Sequence, residues 1–272
     1  MASGKSAMEI FREGCVIPAL PLTLHPSGEW DSKRQKALIR YYLDAGAGGI
    51  AVAVHTTQFE IRDEKFNLYQ PLLELAGKEI DAYSQKNGCG ILKIAGVCGP
   101  VEQAVSEATA AKNAGYHAVL LSPGGLNELS EDDLVYRTRR VAEVLPVIAF
   151  YLQSAVGGRR FSYRYWEEIC KIPGVIGMKS APFDRYQTLD LVRAAALSPR
   201  SDEITLYTGN DDNIVIDLLT TYRFEKDGKI YEKGFSGGLL GHWAVWTSKA
   251  VSILEKAKKA RESGEIPAEL LT

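Results

Sequence analysis

Apolar and polar positions along the chain alternate between two periods. Short β-rich apolar runs lie at 15–20, 49–54, 90–97, 117–122, 146–153, 175–180, 204–209 and 235–241. Between them come stretches of helical period at 31–44, 67–86, 101–114, 130–144, 163–170, 185–197, 213–219 and 243–259. Asp31 stands where a helix cap belongs, and Ser130-Glu-Asp-Asp133 puts acidic residues at a helix start, where the helix dipole favours them. The eight strand-then-helix units predict a parallel sheet covered by helices. Runs such as Gly49-Ile-Ala-Val-Ala-Val54 lack polar alternation, as expected of strands buried on both faces.

Eight units in 272 residues match a (β/α)8 barrel, the TIM-barrel architecture. An open doubly wound sheet would carry a G-x-G-x-x-G turn after an early strand, and none follows 15–20 or 49–54. The barrel is expected over 15–259, after an N-terminal segment 1–14. A tail, 260–272, is read as the start of a short helical extension. Asp227-Gly228, between alternating runs in 222–235, predicts a surface hairpin before the eighth strand.

Composition narrows the function. Thirty-two basic against 34 acidic residues give a formal charge of −2, which offers nucleic acid no electrostatic footing. No apolar run reaches the ~18 residues of a membrane span, and 1–14 lacks a secretory apolar core. The four cysteines form no C-x-x-C and are expected to be core thiols of a cytoplasmic protein. The four histidines show no ligand spacing, so neither a metal nor a cofactor is expected.

Barrel active sites lie at the C-terminal ends of the strands. There Lys179 ends the sixth run and shares a face with Gly177 and Val175. Turned inward it is a nucleophilic amine with a depressed pKa; turned outward it is a solvated strand-end lysine. Tyr151, late in the fifth run, is either a proton carrier beside that amine or a core aromatic. Thr56 and Thr57 offer two hydroxyls, or simply form a turn. In Thr208-Gly-Asn-Asp-Asp212, Gly209 permits close approach, Asp211 suits substrate hydroxyls, and Asp212 is read as the next helix cap.

Taken in order, these motifs resemble the dihydrodipicolinate synthase and N-acetylneuraminate lyase family of class I pyruvate-type aldolases, over nearly the whole length. The carriers are Gly49 to Thr57, Tyr151, Gly177-Met-Lys179, Thr208 to Asp211, and Gly237-Gly-Leu-Leu-Gly241. The resemblance implies that Lys179 forms the Schiff base. It makes Tyr151 and Thr56 the proton relay and gives Thr57 the carboxylate of a 2-oxo acid. It places His55, Gln58, Gly209, Asp211, Leu239 and Arg159 around the substrate, with Arg160 beside Arg159. It also implies a homotetramer or homodimer. The chain departs from the family at His55-Thr-Thr-Gln58, at Pro123-Gly-Gly125 where an inter-subunit tyrosine is usual, and at Leu152 to Val156. These departures argue against the lysine-biosynthetic reaction. The expected activity is a Schiff-base lyase or aldolase. The alternatives are a sugar-acid dehydratase using the same iminium, a metal aldolase with ligands among His55, Glu60, Asp211 and His242, and a barrel that binds a small acid without turnover.

Overall fold

The computed structural model describes residues 4–271, so residues 1–3 of the expected N-terminal segment and residue 272 of the tail lie outside the described residues. The barrel strands are β1 (Val16–Pro18), β2 (Gly49–Val52), β3 (Leu92–Val97), β4 (Ala118–Leu121), β5 (Val147–Leu152), β6 (Val175–Ala181), β7 (Thr205–Thr208) and β9 (Lys229–Leu240). They pair in parallel in the order β1-β9-β7-β6-β5-β4-β3-β2. The Ala19–Ala51 bridge and the Leu20 N–H on the Ala51 carbonyl (2.9 Å) bring β1 against β2 and close the ring. This is the expected (β/α)8 barrel. No helix among the described residues is long and apolar enough to cross a membrane.

Around the barrel run α2 (Ser32–Asp44), α3 (Tyr69–Asn87), α4 (Val101–Asn113), α5 (Glu131–Ala142), α6 (Tyr163–Cys170), α7 (Arg185–Leu197), α8 (Ile214–Leu219) and α9 (Thr247–Ser263). Their starts follow local chemistry. The Asp31 carboxylate accepts from the Arg34 N–H at 2.9 Å, and Ser130 with Asp133 closes a capping box on α5. α9 begins four residues later than expected, because His242–Ala244 forms a 3-10 turn and Trp246 takes a left-handed φ of 51°. The expected tail helix is a single 3-10 turn, Ala268–Leu270.

The hairpin is present. β8 (Thr221–Lys226) runs antiparallel to β9 across Asp227 (φ 51°) and Gly228 (φ 72°), the paired positive φ angles of a tight two-residue turn. Its strand continues directly into the eighth barrel strand.

One element was not anticipated. α1 (Ala7–Glu13), capped by a Ser6–Glu9 box, sits under the barrel and inserts Phe11 into it. Gly177 makes the room, since a Cβ there would lie 2.7 Å from the Phe11 ring. Phe11 stacks on Tyr207 with centroids 5.0 Å apart. The Tyr207 hydroxyl donates to the Phe11 carbonyl (2.8 Å) and accepts from the Cys15 N–H (3.3 Å).

Candidate active site

At the opposite end the strands open on a cavity of ≈ 240 Å³. Lys179 of β6 points into it. In register its neighbours are Phe150 on β5 and Tyr207 on β7. The lysine stem packs where Gly209 has no side chain, since a Cβ there would come within 2.5 Å of Lys179 Cε. The amine lies 4.2 Å from the centroid of the Phe150 ring, and among the described residues Nζ has no hydrogen bond or ion pair. Burial pushes its pKa down to about 8, with Asp211 opposing the shift. The ring face of Phe150 also favours the ammonium, so burial acts against two groups that hold the charge.

Asp211, after β7, lines the same cavity. Much of its surface is open, yet the atoms packed around its carboxyl raise its pKa, against the pull of Lys179 and His242. His55 and Thr56 form the facing rim, His55 edge-on to Phe59 at 5.6 Å. Their turn is held from behind. Arg62 donates to Glu107 (2.8 and 3.1 Å) and to the carbonyls of Gly96 (2.9 Å) and Ala53 (3.2 Å). Ala53 itself has a φ of 60°. The β7 loop is organised by the fully buried Asp217, which accepts from Thr208, Asn210 and Arg185 at 2.6–2.9 Å.

The expected residues divide into two groups. Lys179, Thr56, His55, Gly209 and Asp211 meet at the cavity. Five others, with Asp212, do not take the places given them. Tyr151 faces the helical layer, where its hydroxyl donates to Gln187 (2.6 Å) and accepts from the Phe161 N–H (3.2 Å). The inward position belongs to Phe150, which has no hydroxyl. Thr57 gives its hydroxyl to the Leu20 carbonyl (2.6 Å) and its N–H to the Val54 carbonyl (2.9 Å), so neither remains for a carboxylate. Gln58, at a φ of 82°, turns to a separate hollow with Glu60 and Phe66. Arg159 donates to the carbonyls of Leu129 (2.6 Å) and Asn127 (3.4 Å) and ties two loops together. Leu239 is sealed in the inner core, and Leu240 and Gly241 line the cavity instead. Asp212 is no cap, for the cap position of α8 is Asn213, which makes no side-chain cap bond.

Lining residues that the sequence reading did not place at the site include Phe150, Gln153, Val156 and Phe183. Phe150 was not reachable by counting along the strands, because a register shift between Val147 and Ile148 is what puts it opposite Lys179. Phe183 lies beyond its strand and carried no signal. Of the ligands considered for a metal, His55 and Asp211 line the cavity, His242 lies beside Asp211 in a neighbouring hollow, and Glu60 lines another. Among the described residues no three His, Cys, Asp or Glu side chains gather into a ligand set.

Relatives agree with this architecture. Probable 5-dehydro-4-deoxyglucarate dehydratase 2 of Streptomyces coelicolor is 31% identical over 196 residues, which is 70% of this chain and 56% of that protein. N-acetylneuraminate lyase 2 of Escherichia coli O6:H1 is 27% identical over 202 residues, 72% of this chain and 61% of that protein. The chain thus spans less than two thirds of the length of either relative. Among solved structures, the dihydrodipicolinate synthase of Acinetobacter baumannii complexed with pyruvate superposes with a TM-score of 0.75 at 18% identity, over 92% of this chain and 78% of that one. A monomeric dihydrodipicolinate synthase variant gives 0.77 at 19%, over 96% and 79%. At these identities the likeness establishes the fold. The sequence pattern of one family runs through residues 13–221, from the end of α1 to the start of the hairpin, and the chain belongs to the dihydrodipicolinate synthetase family.

Proposed function

We propose that the protein is a lyase acting on a 2-oxo acid through a Schiff base on Lys179. One observation carries this reading: an amine held in a barrel mouth, unpaired, with a pKa lowered to about 8. At neutral pH about a tenth of such an amine is uncharged, enough to attack a ketone. Nζ adds to C2, the carbonyl oxygen leaves as water, and an iminium forms. In a 4-hydroxy-2-oxo acid the iminium accepts the C3–C4 bonding pair as the hydroxyl proton is removed. An aldehyde departs and an enamine remains. Protonation at C3 and hydrolysis then release pyruvate and the free amine.

The proton carrier is Asp211, since the phenol expected there is turned away. Its carboxyl shares the cavity with Lys179, and the burial that raises its pKa makes it a stronger base than an ordinary carboxylate. Thr56 and His55 supply the polar wall for the substrate carboxylate. Loss of a hydroxyl rather than an aldehyde, by the same iminium, is a second reading, and similarity to a dehydratase supports it. The proposal extends to a cytoplasmic homodimer or homotetramer, testable by light scattering and fractionation.

Borohydride reduction in the presence of pyruvate tests the central step. A reduced pyruvyl adduct on Lys179, absent from Lys179→Ala, is the expected result. Pyruvate that leaves the wild-type protein unmodified overturns the proposal. Product analysis then separates carbon–carbon cleavage from dehydration.

A further inference from the structure

The wall of the cavity is unequal. His55 and Thr56 line it after β2, and Asp211 faces them after β7. In the arc between them β4, β5, β6 and their loops contribute Leu120, Phe150, Leu152, Val156, Ala181 and Phe183, with Gln153 the one polar side chain of that sector besides Lys179 among the described residues. The groups that sequence would place there to hold hydroxyls or a second carboxylate are engaged elsewhere. Arg159 is bonded to the Leu129 carbonyl, Tyr151 to Gln187, and the Ser122 hydroxyl accepts from the Gly124 N–H at 3.2 Å.

Phe183 is held there at a conformational cost. Its φ of 56° is a left-handed value that a bulky residue rarely takes. Its N–H donates to Asn210 Oδ1 at 3.1 Å. Asn210 is fully buried and anchored in turn by Asp217 and Thr188. The ring packs on the inner core and lines the cavity beside Phe150's strand.

From this we infer that the half of the substrate beyond the 2-oxo acid is apolar, an aryl or branched alkyl group seated against Phe150, Leu152, Val156 and Phe183. The inference rests on the Lys179 reading, which fixes the end at which the 2-oxo acid sits. A polyhydroxylated chain in this position would place hydroxyls against carbon, and each would lose water without gaining a partner. An aryl group loses nothing comparable and gains burial. This sets the chain apart from relatives whose names specify sugar acids.

The test uses two 4-hydroxy-2-oxobutanoates alike at the reacting atoms, one bearing phenyl at C4 and the other a dihydroxyethyl group. The wild-type protein is expected to cleave the phenyl compound with a kcat/KM higher by about tenfold or more. Calorimetry on Lys179→Ala, where no covalent step occurs, is expected to keep the same order of affinity. Phe183→Gly removes the ring while suiting the left-handed φ, so relief of backbone strain offsets part of the lost packing and the fold is retained. The phenyl preference should fall most of the way to unity in that variant, with the pyruvate adduct on Lys179 retained. Phe183→Leu should keep most of the preference. Equal binding of the two acids by Lys179→Ala, binding of neither, or tighter binding of the hydroxylated one overturns the apolar subsite. Failure of the Schiff base reads out separately, as absence of the pyruvate adduct in the wild-type protein.

Discussion

At the lower end of the barrel Gly177 leaves a gap, and the chain fills it with its own Phe11. At the upper end Gly209 leaves a gap, and the stem of Lys179 enters it. Below, every polar group of the Tyr207–Cys15–Phe11 contact named above has a partner within 3.3 Å. Above, the amine has none but a ring face and a through-space carboxylate. The two ends draw on the same inward row of strand residues, Lys179 and Tyr207 being direct register partners. What differs is whether the chain closes on itself. Packing for stability satisfies buried polar groups; a site keeps one unsatisfied so that a ligand can complete it.

The largest effect expected from a change at the open end, short of removing the nucleophile, comes from Asp211→Asn. Turnover should fall about 10²–10⁴-fold, the usual worth of a general acid–base, while the pyruvate adduct still forms. The pH dependence gives a second readout. Adduct formation in the wild-type protein should climb with pH as Lys179 loses its proton and level off above about 8. Asp211 holds that pKa up, so its neutral replacement should move the levelling point to lower pH. A variant that keeps full turnover and an unmoved profile would remove Asp211 from the mechanism and leave the open end with the lysine alone.

At the closed end Phe11→Ala should cost about 3–5 kcal/mol, as for other fully buried aromatic truncations, and lower the melting temperature by on the order of 10 °C. Below that temperature the rate of adduct formation on Lys179 should stay within about twofold, well short of the tenfold that about 1.4 kcal/mol at the amine would give. If the adduct rate instead fell in step with stability, the two ends would be coupled through Gly177 and Lys179 on one strand, and the division drawn here would fail.

The fold was legible because its signal is repeated. Eight apolar runs separated by helical periods admit few architectures, and Asp227-Gly228 marks its own turn. α1 was not legible. It is seven residues long in a polar stretch, and only the space beneath Gly177 shows what Phe11 is for. Within the site, the place of Lys179 at the end of β6 was legible but its inward orientation was not, since counting by twos groups it with Val175, which the Ile176 bulge turns to the outer core. Thr57 and Arg159 have the right chemistry, but the Thr57 hydroxyl and the Arg159 Nη1 donate to nearby carbonyls, which residue type cannot reveal. Tyr151 failed for a specific reason. It is the fifth residue of β5, as Lys179 is of β6, so equal counting pairs them. The ladder shifts register between Val147 and Ile148: Val147 faces Val175, but Ile148 faces Gly177. Ile176 is the extra residue, and a one-residue slip exchanges the two faces of a strand.

Tyr151→Phe tests that slip with the smallest expected effect. The hydroxyl lost is the acceptor for the Phe161 N–H and the donor to Gln187. Its ring stays against Trp166, 4.8 Å away centroid to centroid, in a cluster that also includes Phe161 and Tyr165. A buried N–H left without its acceptor costs about 1–3 kcal/mol, so the melting temperature should drop by a few degrees. Turnover should change less than about threefold, because burial keeps the phenol protonated and the hydroxyl points away from the cavity. The opposite pattern, an unchanged melting temperature with a loss of about 10²-fold or more in turnover, is what a proton relay would give. That pattern would require the strand to present its other face to Lys179, which the Phe150–Lys179 register forbids. Since one measurement reads packing and the other chemistry, a single conservative substitution decides which side of β5 belongs to the site.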